Sequence, residues 1–274
     1  MGKVLKKIFF GKNKRRKKRP GLEPSQFRTR LRILAFCGLM LYWLAIFVLT
    51  HIPTVPSWVV ISGMSDKTMH LIAYFVLTFL FWTALSAGTK ARWNSWRVWV
   101  TIAFIAVYAV CDELIQKLVH RQPDIMDFSA DMLGCIMSLI IWTFAGFWLA
   151  GFLHGVVVIV ILNCFSVYDL AGTSEAIGVL FYFLGYGFIA YSLSQALIPL
   201  SVSKGINRFY WAFPVPVLLL LLMKAWDLHT GLAVEIRFVA IALLGIVYSL
   251  AVSWFMTGRK SGQNSRDVLT TSFN

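Results

Sequence analysis

The chain has 274 residues, of which 58% are hydrophobic and only 14% are charged, and its mean hydropathy is +0.72. This composition excludes an ordinary soluble domain, in which roughly 45–50% of residues are apolar and about 25% are charged. The net charge of +14 would suit a nucleic-acid-binding protein, but the basic run is short and no recognisable nucleic-acid-binding motif surrounds it. We therefore expect no nucleic-acid partner.

Apolar segments of the length that crosses a bilayer recur along the chain. About 20 helical residues span the roughly 30 Å hydrocarbon core. The segments predict an all-α, polytopic membrane bundle of about eight transmembrane helices, give or take one. The less regular stretches are "WLAGFLHG" at 148–155 and the seventh segment, which Pro214 and Pro216 interrupt. The predicted spans are 32–51, 67–88, 97–118, 127–148, 150–168, 175–197, 208–224 and 235–257.

The distribution of basic residues predicts the orientation of these spans. Residues 1–32 hold 13 of the 26 Lys and Arg, including "KNKRRKKR" at 12–19. Lys and Arg concentrate in cytoplasmic loops, so we expect both termini in the cytoplasm. The arm is either a simple orientation signal or a site for an acidic partner or lipid. The predicted parts are a cytoplasmic arm (1–31), a four-helix unit (32–150), a second four-helix unit (151–257) and a cytoplasmic tail (258–274).

The first apolar segment does not indicate a cleaved signal peptide, and the cysteines do not indicate disulfide bonds. The first apolar run is long and follows about thirty residues of basic arm, so we interpret it as a permanent span and not as a cleavable signal peptide. The four cysteines lie in apolar segments without close pairing. We expect them to act as small hydrophobic residues, neither disulfide-bonded nor metal-binding.

Ionisable side chains interrupt the second, third and fourth spans near the same end. In the second and fourth spans they recur every four residues, which places them on one helix face. In the third span they lie close to the predicted outer end. Three helices thus bring polar side chains to one depth, just below the outer membrane surface, where Lys67 and Arg121 supply positive charge. The predicted ligand-binding or polar cluster comprises Asp66, Lys67, His70, Tyr74, Asp112, Glu113, Gln116, Arg121, Asp127 and Asp131.

Charges inside a membrane cost about 2.5–3.5 kcal/mol each on insertion scales and normally face the bundle interior or a wet cavity. The cluster is therefore either a functional site or a set of ion pairs that holds the helices together. Gly134 would let a neighbouring helix approach closely. The sequence identifies no catalytic residue and no cofactor. The candidates for holding a divalent metal ion are His70, Glu113, Asp127 and Asp131.

Four short blocks in the first half resemble the VanZ-like membrane protein family. They are "DKTMHLIAY" (66–74), "DELIQ" (112–116), Arg121 and "DFSADMLG" (127–134). The family pattern is roughly D-K-x-x-H-x-x-x-Y, E-x-x-Q followed by R, and D-x-x-x-N-x-x-G, and the likeness covers about 33–150. The resemblance implies a multi-pass protein of the bacterial cytoplasmic membrane, associated with resistance to teicoplanin and related glycopeptide antibiotics.

Two positions depart from the family pattern. Asp131 stands where the family usually has Asn, and the segment 122–126 contains an additional acid, Asp124. An extra carboxylate in the cluster would make it more negative or would require a proton or a cation. The role of each family residue therefore does not transfer directly to this chain. The second half, 151–257, lies outside the resemblance.

Three functions compete. In the first, the cluster is an outward-facing acidic cup that binds an envelope lipid or cell-wall precursor headgroup, or modulates the access of glycopeptides such as teicoplanin to it. In the second, the protein is an intramembrane enzyme that uses His70 and carboxylates, with or without a metal ion, on an envelope lipid. In the third, it transports a lipid or solute by relaying protons through the cluster. Nucleotide-binding loops and zinc-protease motifs are absent from the sequence.

Overall fold

The computed structural model describes residues 24–51, 65–118, 124–165, 175–199, 201, 207–232 and 234–271. These residues form helices and short connections, and none of them lies in a β-strand. The helices are α1 (Pro24–His51), α2 (Asp66–Ser86), α3 (Trp96–Leu118), α4 (Ile125–Phe144), α5 (Phe147–Phe165), α6 (Glu175–Leu180), a π-helical turn (Phe181–Gly185) that continues into α7 (Tyr186–Ala196), α8 (Phe209–Ala212), α9 (Pro214–His229) and α10 (Ile236–Thr271).

Eight helical segments among these residues are long and apolar enough to cross a membrane. α6, the π turn and α7 form one of them, and α8 with α9 forms another. Large apolar side chains lie on their outer surfaces, for example Leu41, Phe144 and Ile236, which are 70%, 74% and 81% exposed. Exposure of so much apolar surface to water would be unfavourable, whereas contact with lipid is not. The predictions of an all-α fold, of eight spans and of a multi-pass membrane protein are confirmed at this level.

Two irregular stretches resolve into ordinary helix boundaries. The helix α4 ends before Ala145 and Gly146, and the next helix, α5, contains the whole of "WLAGFLHG". Pro214 occupies the first position of α9, where its missing N–H leaves no helical hydrogen bond unmade. The last helix continues to Thr271, so the predicted boundary between the second unit and the tail, at 257, falls within α10.

The buried apolar side chains form two clusters. The first is built from α1 to α4 and the beginning of α5, and Ala150 belongs to it. The second is built from other residues of α5 together with the π turn and α7 to α10, and Ile159 belongs to it. The two cores therefore meet along α5, which contributes buried side chains to both.

A glycine brings α2 and α4 unusually close together. A Cβ atom added to Gly134 on α4 would lie 2.4 Å from the carbonyl oxygen of Leu71 and 2.9 Å from the backbone nitrogen of Phe75, both on α2. Any larger residue would force the two backbones apart. The prediction that Gly134 permits close approach of a neighbouring helix is confirmed, and this approach positions the polar residues described next.

Candidate functional site

The beginning of α2, the end of α3 and the beginning of α4 bring six ionisable side chains together. We call this group the acidic cluster, and it comprises Asp66, His70, Asp112, Glu113, Asp127 and Asp131. Ser65 caps α2, since its side chain accepts a hydrogen bond from the backbone N–H of Thr68. The cap sets the first turn of α2, so that the i and i+4 positions of that helix face α4.

His70 and Asp131 form the innermost pair of the acidic cluster. The Nδ1 atom of His70 lies 3.0 Å from Oδ1 of Asp131, and the two residues are 5% and 0% exposed. When Nδ1 carries the proton, it donates to the carboxylate and leaves the Nε2 lone pair for another group. This arrangement is the one by which a carboxylate orients a histidine that binds a metal ion or accepts a proton.

The end of α3 supplies two buried acids in different surroundings. Gln116 donates a hydrogen bond to Oδ2 of Asp112 at 3.1 Å, within one turn of the same helix. Glu113 uses Oε2 to accept a hydrogen bond from the backbone N–H of Asp124 at 3.0 Å. The second contact ties α3 to the residue that precedes α4, so these two helix ends are fixed relative to each other.

Lys67 lies at the exposed rim of the acidic cluster, where carboxylates already surround it. Its ammonium group donates to Oδ2 of Asp124 at 2.9 Å and lies 3.7 Å from Oδ1 of Asp127. Asp124 also caps α4 by accepting from the backbone N–H of Met126 at 2.9 Å. The hydrogen bond from Lys67 lowers the pKa of Asp124 below its usual value. The additional acid noted in the sequence is therefore a helix cap and a partner for Lys67.

Several buried oxygen atoms at this site accept no hydrogen bond from any residue that the structure describes. They are Oε1 of Glu113, Oδ1 of Asp127, Oδ2 of Asp131 and the hydroxyl of Tyr74. An unsatisfied buried polar group costs about 1–3 kcal/mol, and more when it is charged. Oε1 of Glu113 and Oδ2 of Asp131 therefore require a proton, a cation or the hydrogen-bond donors of a ligand. Oδ1 of Asp127 forms an ion pair with Lys67, 3.7 Å away, but accepts no hydrogen bond from it.

The acidic cluster also contains two sets of possible metal ligands. One ligand atom from each of Asp66, His70 and Asp127 lies within 4.8 Å of the other two, and the same holds for His70, Asp112 and Glu113. A set of one imidazole and two carboxylates is typical of sites for divalent transition metals. His70 is common to both sets, so a single ion beside it would draw on one set or bridge both.

The structure brings together most of the side chains that the sequence predicts at this site. Tyr74 extends the cluster inward, with its ring centroid 6.4 Å from that of His70 and 5.7 Å from that of Tyr108. Arg121 lies outside the described residues. The predicted residues in or directly beside the acidic cluster are Asp66, Lys67, His70, Tyr74, Asp112, Glu113, Gln116, Asp127 and Asp131.

Two buried polar groups were not anticipated. His154 on α5 accepts from the hydroxyl of Ser138 at 2.8 Å through Nε2, while its Nδ1 donates to the carbonyl of Ala150 at 2.8 Å. Both nitrogen atoms are satisfied, so this contact fastens α4 to α5. In the second core, buried Lys224 donates to Asp227 at 2.7 Å and to the hydroxyl of Tyr182. The i, i+3 spacing in "KAWD" was the available signal for that pair.

The chain matches no protein-family model, no curated protein and no solved structure in the three comparisons. The resemblance to VanZ-like proteins therefore rests on the residues of the first four spans alone.

Proposed function

We propose that the protein is a VanZ-like membrane protein whose acidic cluster binds the headgroup of an envelope lipid or cell-wall precursor. In this proposal, hydroxyl or ammonium groups of the headgroup donate to the unsatisfied oxygens of Glu113, Asp127 and Asp131. Occupation of the site would change the access of glycopeptides such as teicoplanin to the same lipid.

The observation that carries this proposal is that buried carboxylate oxygens of Glu113, Asp127 and Asp131 accept no hydrogen bond from any described residue. If the acids served only to hold the helices together, each oxygen would be expected to have a donor from a neighbouring helix. A phosphate-binding role for Lys67 receives less support, because two carboxylates already surround its ammonium group. The headgroup is therefore expected to bind through its donors and not through its phosphates.

The orientation belongs to the same proposal. α2 runs from the acidic cluster at Asp66 to Ser86, a rise of about 30 Å, and Lys90 and Arg92 follow at its far end. Basic loops mark the cytoplasmic side. Both termini would then lie in the cytoplasm and the acidic cluster would face the outside of a bacterial cytoplasmic membrane.

Binding of a purified cell-wall precursor lipid to the full chain in nanodiscs tests the proposal. Glu113→Gln removes one charged acceptor and is expected to weaken binding by about 10- to 100-fold, since a hydrogen bond to a charged group contributes about 1.5–3 kcal/mol. Glu175→Gln is the matched control, because Glu175 is exposed on α6, outside the acidic cluster. Equal affinity of the wild type and the Glu113→Gln variant would contradict the proposal.

A second candidate is a metal-dependent intramembrane enzyme that acts on an envelope lipid, and the two sets of ligand atoms around His70 favour it. Full-length protein dialysed against Zn²⁺ or Mn²⁺ would then retain one ion per chain, and His70→Ala would lose it. His229→Ala on α9 serves as the control substitution, since it removes an imidazole elsewhere. Wild-type protein that retains no ion would eliminate this candidate and leave the headgroup proposal standing.

A further inference from the structure

A second polar site lies at the opposite end of the first four helices. A cavity of about 870 Å³ opens there between the beginning of α1, the end of α2, the beginning of α3 and the end of α4. Its size is within the range of small-molecule sites, which is roughly 300–1,000 Å³. Trp82 and Phe147 line its apolar side.

The charged residues around this cavity are all basic. Arg28, Lys90, Arg92 and Arg97 line it, and no Asp or Glu is among its described lining residues. Within the part of the chain that the structure describes, none of these four forms an ion pair with a carboxylate. Four cations brought together without a counter-charge among the described residues repel one another, so they favour an anion between them.

Backbone structure adds to the positive potential. α3 begins at Trp96, beside the cavity, and has no acidic residue in its first turn. The partial positive charge of this helix N-terminus therefore lies beside the cavity, and no acidic side chain in the first turn compensates it. The turn after α2 is held in place, because the backbone N–H of Ala91 donates to the carbonyl of Trp142 at 2.8 Å.

Exposed tryptophans show where the cavity lies relative to the bilayer. Trp93, Trp96 and Trp99 are 38%, 63% and 59% exposed around the beginning of α3. Trp93 donates to Thr143 and Trp99 donates to the carbonyl of Trp93, which orders this aromatic group. Tryptophan rings concentrate at the level of lipid headgroups. The cavity is therefore open to that level of the membrane.

We propose that this basic cavity binds a phosphate group carried by an anionic molecule at the membrane face opposite the acidic cluster. A phospholipid headgroup and a soluble phosphate ester share this chemistry. Basic pockets between transmembrane helices are known to take anionic headgroups. The inference does not depend on the function proposed for the acidic cluster, because it uses other residues at the other helix ends.

The test measures lipid retention by the delipidated full chain with native mass spectrometry. Phosphatidylglycerol and phosphatidylcholine are added separately, and inorganic phosphate and glycerol 3-phosphate are added in a parallel arm. We expect retention of phosphatidylglycerol, and a loss of about 25-fold in affinity for Lys90→Gln/Arg92→Gln, since each basic residue near an anionic surface contributes about fivefold. Lys117→Gln/Arg237→Gln removes the same charges from positions outside the cavity.

The outcomes separate the sources of the phosphate. Selective retention of phosphatidylglycerol supports a headgroup, and competition by glycerol 3-phosphate at similar concentration supports a soluble ester. Arg92→Lys keeps the positive charge and should retain most of the wild-type binding. This result distinguishes loss of a ligand contact from a folding defect. Equal retention by the wild type and the double variant would overturn the inference, as would equal binding of both lipids without competition by glycerol 3-phosphate.

Discussion

The contact at Gly134 gives the sharpest prediction from this structure. A Cβ at this position would lie 2.4 Å from the carbonyl oxygen of Leu71, so Gly134→Ala must separate α2 and α4 by at least about 0.6 Å. Both neighbouring atoms belong to the backbone, so neither can rotate away. Overpacking of this kind costs about 1–3 kcal/mol, while the better helix propensity of Ala returns about 1 kcal/mol. We expect a net loss of about 1 kcal/mol.

A loss of that size should lower the apparent melting temperature of the detergent-solubilised protein by about 2–4 °C. Heating followed by size-exclusion chromatography measures it. Gly38→Ala is the matched control, because its added Cβ meets only Leu80, at an ordinary 3.9 Å. That variant should be as stable as the wild type or slightly more stable. If Gly134→Ala shows the same stability as Gly38→Ala, the close approach of α2 and α4 is not as described.

Three further predictions concern the polar contacts. Asp131→Asn should change stability by less than about 1 kcal/mol, because the amide oxygen still accepts from the imidazole, whereas Asp131→Leu should cost about 1–3 kcal/mol; equal losses in thermal denaturation would contradict this. Lys67→Gln should lower the melting temperature near neutral pH. The pKa of Asp124 is lowered in the folded protein, so its contribution is present above its unfolded pKa of about 4 and is lost as pH falls through the folded value. The difference from wild type should therefore shrink in acid, and a constant difference would refute the contact. Lys224→Met should destabilise by about 3–5 kcal/mol because it leaves Asp227 buried and unpaired, and Lys224→Met/Asp227→Leu should recover most of this loss in the same assay; no recovery would show that the pair is not the cause.

The acidic cluster was predictable because the length of each apolar segment and the position of the acids along its helix together fix how deep those acids lie in the membrane. Antiparallel spans of similar length return the chain to the same membrane surface. Acids near the end of α3 and the beginning of α4 must therefore lie level with the start of α2. The choice of Asp131 as the partner of His70 was not predictable. It depends on the rotation of α2 against α4, which the close contact at Gly134 sets.

Other features escaped the sequence because they depend on tertiary contacts. Asp124 looked like one more charge in the cluster, but its role as a cap and as the partner of Lys67 follows from where α4 begins. Lys90, Arg92 and Arg97, near the start of α3, form no recognisable motif in the sequence. Their grouping around a cavity follows from the turn after α2, in which Ala87 adopts a left-handed conformation and Gly88 has a positive φ angle.

The division of α5 between two cores bears on how this protein can be taken apart. Ala150 packs with the first four helices and Ile159 with the later ones, while His154 stacks on Phe75 and Phe79 of α2. A fragment ending at residue 150 would strip that stacking from α2 and leave apolar surface without its partner. A fragment that keeps the contacts of His154 with α2 must therefore extend into α5 beyond residue 154, and dividing the protein after α5 preserves them.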